Sequence, residues 1–250
     1  WRDLRVRYKQ AALGAAWAVL LPRSMMLLFT FVFTRAMDVK AIWGLQTPYA
    51  LYAFAGLVPW TFFGTSLNNC VNSLVANRNL VTKVYFPREV FPFSAIATAL
   101  ADFAVAMIVL LGLMIYFHVR GEWSLAFGWG WLLVPCVMVI QLALTAGLGL
   151  ILSMGNLFYR DVRPVFGVVV QLWMFVSGVV MPVPRDGSLT ARVLAFNPMV
   201  PLIEAYRDIL LHGQIPQGSG LAYASAVSMA LLVGGWIAFR RAAFRFAECI

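Results

Sequence analysis

The chain has 250 residues, of which 62% are hydrophobic and 12% are charged, and its formal net charge is +9. This composition excludes a water-soluble domain over most of the length, because soluble domains carry about 25% charged residues. A helix needs about 20 apolar residues to cross a bilayer, so the chain has room for about six crossings in a single membrane domain. We expect its excess of basic residues to face anionic lipid rather than nucleic acid.

Residues 1–14 precede the first apolar run and are too polar to cross the membrane. Trp1, Leu4 and Tyr8 recur at helical spacing, and basic residues including Lys9 form an adjacent stripe. This pattern predicts an interfacial helix on the inner leaflet. Two interpretations remain open: the helix contacts a cytoplasmic partner, or it is an ordinary basic flank of the first crossing.

Six apolar runs follow, each with the length of a transmembrane helix or close to it. They cover residues 15–36, 49–72, 93–117, 130–154, 164–182 and 219–239. The Lys and Arg residues are concentrated on the side that holds both termini and the second and fourth connections. The sequence therefore predicts six transmembrane helices with both termini in the cytoplasm.

Two charged side chains fall inside the predicted crossings. Arg23 in the first crossing and Asp102 in the third lie at a similar depth, about 12 to 14 Å from the cytoplasmic side. Intramembrane charges are costly and usually pair, so we predict a contact between Arg23 and Asp102. The alternatives are that Arg23 extends to the interface, or that it binds the phosphates of an anionic lipid substrate.

The connection over residues 73–92 is long for a cytoplasmic hairpin. Asn77 or Asn79 can cap a short helix, and Pro87 would end it. Such a helix exposes apolar side chains outside the membrane, which indicates burial against another protein, although anchoring in the headgroup region is the alternative. The residues predicted to make this contact are Asn77, Arg78, Asn79, Leu80, Lys83, Val84, Tyr85, Phe86 and Arg88.

Residues 183–218 form an outer connection that is too long for a turn and too apolar for a free loop. Asn197 and Pro198 have the pattern of a helix cap and a first-turn proline, and apolar residues then repeat at helical spacing as far as Gly213. This helix is shorter than a bilayer. We therefore expect a pair of short re-entrant helices before the last crossing.

The sequence lacks the motifs of ATP binding and of familiar metal-dependent catalysis. Its only lysines are Lys9, Lys40 and Lys83, and none follows glycine, so the phosphate-binding loop of ATPases is absent. The zinc motif HExxH and the paired aspartates of nucleotide-sugar glycosyltransferases are also absent. We expect no catalytic residue, no metal and no cofactor bound by this chain.

Aromatic side chains in the crossings are candidates for contact with cargo, because flat apolar faces of sugars stack on aromatic rings. For each ring, packing against lipid or a neighbouring helix is the alternative. The candidates in the first and fifth crossings include Phe29, Phe33, Trp173 and Phe175.

Several short motifs occur in a fixed order along nearly the whole chain. They are Arg2-Asp3-Leu4, Arg7-Tyr8-Lys9, Leu13-Gly14 and Trp17, then Gly56-Leu57-Val58-Pro59-Trp60-Thr61-Phe62-Phe63, Asn72-Ser73-Leu74-Val75, Lys83-Val84-Tyr85-Phe86-Pro87-Arg88, Tyr159-Arg160-Asp161-Val162-Arg163, Gln171-Leu172-Trp173-Met174-Phe175, and Asn197-Pro198 with Arg207. Each motif alone is weakly specific. In this order and at these spacings, the chain resembles the membrane subunits of polysaccharide ABC exporters of the O-antigen and teichoic-acid type.

The resemblance implies a homodimer of this chain with two ATP-binding cassette subunits, which bind ATP and Mg and drive export of a lipid-linked glycan across the bacterial inner membrane. It implies that residues 77–88 dock on the ATPase. It also implies that the first and fifth crossings line the path, which adds Gln171 to the candidates. The short outer helices would form a gate with Asn197, Pro198, Tyr206 and Arg207.

Two positions depart from the family pattern. The family tends to carry an apolar residue at the place of Arg23, so a contact between Arg23 and Asp102 is not a general family feature. At the end of the fifth crossing the family often has Ser-Pro and Tyr-Pro, where this chain has Ser177-Gly178 and Met181-Pro182. The geometry of the gate therefore has to come from the structure.

Three other functions remain open from the sequence. An exporter of drugs or ordinary lipids shares the six-crossing plan and differs only in cargo. A proton-coupled transporter would use Asp102 and would not depend on ATP. A membrane-embedded transferase is disfavoured by the missing acidic motif.

Overall fold

A computed structural model describes the single residues 24 and 31 and the ranges 47–77, 87–182, 194–216 and 218–246. Within these ranges the fold is all-α, with six helices and no strand. The helices are α1 (Tyr49–Ala76), α2 (Val90–Val119), α3 (Val134–Phe158), α4 (Val162–Phe175), α5 (Met199–His212) and α6 (Gly220–Ala242). Short 3-10 segments precede α3 (Trp129–Leu133) and follow α6 (Ala243–Arg245).

Among the described residues, four helices are long and apolar enough to cross a membrane: α1, α2, α3 with its preceding 3-10 turn, and α6. They coincide with the second, third, fourth and sixth predicted crossings. The interfacial helix over residues 1–14 and nearly all of the first crossing lie outside the described residues. The total of six crossings therefore stays a prediction.

The fifth apolar run is helical over a shorter stretch than predicted. The run extends over residues 164–182, but α4 ends at Phe175. With 14 residues the helix is about 21 Å long, which is less than the roughly 30 Å of a hydrocarbon core. The chain then turns through Gly178, whose φ of 68° is a conformation that glycine adopts readily.

Helix α1 lies at the centre of the described bundle. Its most apolar 18-residue stretch is 78% buried, whereas the corresponding stretches of α2 and α6 are 22% and 17% buried. Two buried amides of α3 donate to its backbone: Gln141 Nε2 to Pro59 O at 2.7 Å, and Asn156 Nδ2 to Val71 O at 2.8 Å. Polar contacts of this kind join helices where the surroundings offer no water. Helix α1 is therefore the element against which the others are positioned.

Helices α3 and α6 approach each other closely through two glycines. A Cβ on Gly147 would lie 2.5 Å from the carbonyl carbon of Leu231, and a Cβ on Gly235 would lie 2.6 Å from the carbonyl oxygen of Gly147. Small residues allow this close backbone approach between helices in a membrane. The two glycines therefore fix how α6 sits against α3.

The residues directly before α2, the end of α3 and the segment after α6 meet at one end of the bundle, called here the Arg88 end. Arg88 Nη1 donates to the Ala243 carbonyl, and the rings of Phe158 and Phe246 lie 5.9 Å apart. At the opposite end, called the Tyr52 end, Gly213 closes α5 with a φ of 64° and packs against the 126–128 backbone. This grouping agrees with the predicted alternation of connections between the two sides.

Candidate functional site

The site is built around residues 176–180, called here the post-α4 turn. Ser177 and Val179 are fully buried, and Val180 is nearly so. The carbonyls of a turn outside a helix lack the bonds that a helix would supply, and an unpaired carbonyl buried away from water is costly. The turn therefore needs hydrogen-bond donors from other elements, and it receives them from α1, from Asn197 just before α5 and from the middle of α5.

Arg207 on α5 supplies most of these donors. Its Nη1 donates to Gly178 O at 2.7 Å, and its Nη2 donates to Val179 O at 2.5 Å. Toward α1, Nε donates to Tyr52 O at 3.2 Å and Nη1 to the Tyr52 hydroxyl at 2.9 Å. The planar guanidinium suits this task because its five donors have a fixed fork geometry. Arg207 thus connects α5, the post-α4 turn and α1.

Arg207 is a buried cation that is held largely by neutral oxygens. Burial lowers its pKa, while the Coulombic effects of Tyr52 and Glu204 raise it. Arginine is not deprotonated in proteins, so the charge persists. The guanidinium carbon also lies 3.7 Å from the centroid of the Tyr52 ring, a cation–π geometry that is strong when desolvated.

Gly56 on α1 provides the space that Arg207 occupies. A Cβ at this position would overlap Nη2 of Arg207 and would lie 2.9 Å from Val179 O. A glycine inside an apolar helix is unfavourable by about 1 kcal/mol relative to alanine, so a specific packing requirement explains its presence here. The glycine of the Gly56-Leu57-Val58-Pro59 motif thus has a direct structural role.

Asn197 holds the beginning of the post-α4 turn. Its Nδ2 donates to Val176 O at 3.1 Å and to Ser177 Oγ at 2.9 Å, while its Oδ1 accepts from Met199 N at 3.0 Å. The last bond caps α5, as the sequence predicted. Pro198 follows in helical conformation with a φ of −66°. One side chain therefore starts α5 and fastens it to the end of α4.

The Tyr49 hydroxyl donates to Val180 O at 3.2 Å and completes the set of donors to the turn. The carbonyls of residues 176, 178, 179 and 180 all accept from side chains of α1 or of the α5 region. The Arg207 site is defined here as the post-α4 turn together with the residues that hold it. These residues are Tyr49, Tyr52, Gly56, Asn197 and Arg207.

The fourth predicted gate residue, Tyr206, lies beside this site with its side chain fully buried. Its ring packs edge-on against Phe103 of α2, with centroids 6.4 Å apart. Burial raises the pKa of the Tyr206 hydroxyl. Within the part of the chain that the structure describes, this hydroxyl has no hydrogen-bond partner.

The predicted path residues on α4 occupy two different environments. Trp173 is half-buried and packs against α1, with its ring 5.3 Å from Phe63 and 6.4 Å from Trp60. Gln171 and Phe175 are exposed on the other faces of the helix. Phe29 and Phe33 lie outside the described residues. The aromatic contacts of Trp173 therefore fasten α4 to α1. The exposed faces of α4, which carry Gln171 and Phe175, remain available for contact with cargo.

The predicted docking loop is described only at its two margins. Asn77 ends α1, where its Nδ2 donates to Ser73 O at 2.8 Å. Arg88 contacts the C-terminal part of the chain, with its guanidinium 5.8 Å from the Phe246 ring centroid. The other predicted docking residues lie outside the described ranges, namely Arg78, Asn79, Leu80, Lys83, Val84, Tyr85 and Phe86.

The structure describes only one of the two residues of the predicted intramembrane pair. Asp102 lies half-buried on α2, while Arg23 is outside the described residues. Their contact therefore stays a prediction. The re-entrant pair of outer helices likewise stays a prediction beyond α5, because residues 183–193 are outside the described ranges.

Comparison with known proteins identifies the family. The protein-family model of the ABC-2 type transporter matches residues 1–211 of this chain. The chain belongs to the ABC-2 type transporter family. It is 32% identical over 251 aligned positions to the O-antigen export system permease protein RfbA of Myxococcus xanthus, an alignment that covers 100% of this chain and 92% of that protein.

Other members of the family are similar over nearly the same extent. A Klebsiella pneumoniae protein of the same name is 26% identical and aligns with 100% of this chain and 92% of its own length. The polysialic acid transport protein KpsM of Escherichia coli is 25% identical and aligns with 96% of this chain and 90% of its own length. The resemblance inferred from the motifs is thereby confirmed, and with it the membrane character of this ABC-2 chain.

The sequence motifs pointed to Arg207 and Asn197 but gave no indication of their partners. Tyr49, Tyr52 and Gly56 come from α1 and were not predicted as site residues. A usable signal was present: Arg207 interrupts the apolar face of a short helix, where a buried cation requires acceptors.

Proposed function

We propose that this chain is the membrane subunit of an ATP-driven exporter that moves a lipid-linked polysaccharide across the bacterial inner membrane. The observation that carries the proposal is the alignment of the whole chain with an O-antigen export permease at 32% identity. A polysialic acid transport protein aligns with 96% of the chain, which supports a polymeric sugar as the class of cargo.

Energy for transport comes from a separate subunit. None of the three lysines follows a glycine, so the chain has no P-loop, and ATP and Mg bind to the partner ATPase. Two copies of this chain assemble with two such subunits. A row of apolar side chains on α4, each 59% to 63% exposed, supports a path or a second copy along this face. The row consists of Val165, Val168, Leu172 and Phe175.

The Arg88 end faces the cytoplasm and the Tyr52 end faces the opposite side. Arginines at the Arg88 end support this orientation, because basic residues are enriched on the cytoplasmic side of membrane proteins. They are Arg88, Arg160, Arg163, Arg240 and Arg241. The second connection, with residues 77–88, then lies where a cytoplasmic ATPase docks, and both chain termini lie on the same side.

The Arg207 site belongs to the outer gate of the transport path. Because Arg207 and Asn197 bind the post-α4 turn from α5, a displacement of α5 carries the outer end of α4 with it. Helix α4 carries the exposed apolar row, so its outer end lies where cargo would leave. Opening and closing would therefore move the end of α4 and α5 together against α1, across the contact with Tyr52.

The proposal is tested by comparing a strain that lacks this gene with the same strain complemented with the wild-type chain. In the strain without the gene, lipid-linked glycan is expected to accumulate on the cytoplasmic face and to disappear from the cell surface, as measured by antibody labelling of intact and permeabilised cells. A strain whose partner ATPase has lost its P-loop lysine is expected to show the same phenotype. Export that survives vanadate but stops with a protonophore would contradict ATP coupling, and normal surface glycan in the deletion strain would contradict the cargo.

A further inference from the structure

An open groove with a volume of about 460 Å³ lies at the Arg88 end, away from the Arg207 site. It runs between the first turns of α2 and the last turns of α6. Its wall from α2 includes Val90, Phe93 and Ala97, and its wall from α6 includes Trp236 and Arg240. None of these residues is among the predicted gate residues or the predicted docking residues.

The lining of the groove is mostly apolar. Phe93 and Trp236 pack against each other in its lining, with ring centroids 5.9 Å apart. Val90 and Phe93 are 42% and 36% exposed, and only 17% of the most apolar stretch of α6 is buried. Helices α2 and α6 both have the length and composition of membrane crossings, so this exposed surface faces acyl chains rather than water.

The mouth of the groove is cationic. Arg240 Nε donates to Glu89 Oε1 at 3.3 Å, and the guanidinium carbon lies 5.0 Å from the centroid of the Trp236 ring. The Arg240 side chain is 65% exposed and the Glu89 side chain 16% exposed. Guanidinium has five donors, so the Nη groups remain for a further acceptor on the exposed side. The adjacent Arg241 adds a second positive charge beside a single carboxylate.

An apolar trough beneath a guanidinium fork fits one kind of molecule. Arginine binds phosphate oxygens in a bidentate manner, and basic pockets between crossing helices on the cytoplasmic side are suited to anionic headgroups. Tryptophan is enriched at the membrane–water boundary, so Trp236 in the last two turns of α6 supports a position of Arg240 at the level of the headgroups. The charge and the shape of the groove therefore match an anionic amphiphile.

We propose that this groove binds an anionic glycerophospholipid of the cytoplasmic leaflet. Its phosphate lies on Arg240, and one acyl chain lies along Phe93 and Trp236. The bound lipid joins the start of α2, directly after the second connection, to the end of α6. It therefore stabilises the end of the bundle that faces the ATPase. The proposal uses the orientation given above but does not depend on the cargo.

Lipid binding is tested on the purified complex of this chain with its ATPase by native mass spectrometry. Phosphatidylglycerol and phosphatidylcholine with the same acyl chains are added in equal amounts, without ATP or glycan. We expect the wild-type complex to prefer phosphatidylglycerol by about fivefold, since one basic residue near anionic lipid contributes about 1 kcal/mol. Arg240→Gln is expected to abolish the preference. The control Arg120→Gln removes an arginine in a similar setting at the opposite end of the bundle, where it pairs with Glu122 and lies over the Tyr116 ring, and it is expected to retain the preference.

A second measurement keeps the test decisive if Arg240→Gln does not assemble. A photo-crosslinking residue replaces Ala97, which lines the groove, and irradiated membranes are analysed for the attached lipid. Attachment to phosphatidylglycerol supports the proposal. Attachment to the lipid-linked glycan, or equal binding of both phospholipids by the wild-type complex, overturns it. Because neither readout requires transport, a failure here is distinguishable from a failure of the proposed function.

Discussion

Arg207 on α5 lies against the bare Cα of Gly56 on α1, in space that any other residue at position 56 would fill. The two residues are far apart in sequence, and each accounts for the residue type found at the other position. Gly56 lets the guanidinium reach the backbone of the post-α4 turn, and Arg207 supplies the packing that an apolar helix would otherwise obtain from a larger side chain. The pair therefore offers a direct test of the Arg207 site.

Gly56→Ala is expected to displace Arg207 and to destabilise the protein by about 1 to 3 kcal/mol, the usual range for overpacking. Thermal unfolding of the purified chain in detergent measures this change. The matched control is Gly64→Ala in the same helix, where a Cβ would lie 3.6 Å from Val170 in ordinary contact. Equal transition temperatures for the two variants would show that Gly56 does not make room for Arg207.

Arg207→Ala is expected to destabilise the protein by about 3 kcal/mol or more and to abolish export. The carbonyls of Gly178 and Val179 lose their donors, and each buried unpaired group costs about 1 to 3 kcal/mol. Arg207→Lys keeps the charge but cannot reproduce the fork, so an intermediate result is expected. Unfolding temperature and surface glycan are measured together. Full export with either variant would contradict the proposed role of Arg207 in a gate.

Asn156→Leu and Gln141→Leu are each expected to change the free energy of unfolding by less than about 1 kcal/mol. Their acceptors are carbonyls inside α1, which also bond within the helix, so no buried group is orphaned. Gln141→Leu also removes Oε1, which has no partner among the described residues, and it is expected to be the milder change. Denaturant titration in mixed micelles ranks the two. A loss as large as that of Arg207→Ala would contradict this reasoning.

Gly235→Ala and Gly234→Ala form a neighbouring pair with opposite expected effects. A Cβ on Gly235 would lie 2.6 Å from the Gly147 carbonyl oxygen, so this variant separates α3 from α6 and lowers stability. A Cβ on Gly234 meets nothing within 4 Å, and alanine gains up to about 1 kcal/mol in helix propensity. Thermal unfolding of both variants checks the sign. Destabilisation by Gly234→Ala alone would be inconsistent with the packing of α3 against α6.

The sequence predicted the long helices well because each apolar run has the length that the bilayer demands. It also predicted the beginning and end of α5, since Asn197 and Gly213 act locally on the backbone. The predicted end of the fifth crossing, residue 182, was wrong by seven residues, because α4 ends at Phe175. Residues 176–182 are mostly apolar, and hydropathy cannot separate a helix from a buried turn whose carbonyls are bound by a distant arginine.

The candidate site could be predicted only in part for the same reason. Motif comparison selected Arg207 and Asn197, but the contribution of α1 depends on which face of a long apolar helix meets α5. Tyr52 and Gly56 lie four residues apart on such a helix, where nearly every side chain is hydrophobic. Only the packed arrangement distinguishes the residues that hold Arg207 from those that merely fill space.

The burial of Arg207 has an electrostatic consequence for the motion of α4. The carbonyl oxygens of Gly178 and Val179, which lie just beyond the end of α4, carry partial negative charge. Both accept hydrogen bonds from the positively charged Arg207. Pulling α4 from α5 within a low-dielectric interior would separate these charges, so the two elements are expected to move as one rigid body whenever the Tyr52 end of the bundle rearranges.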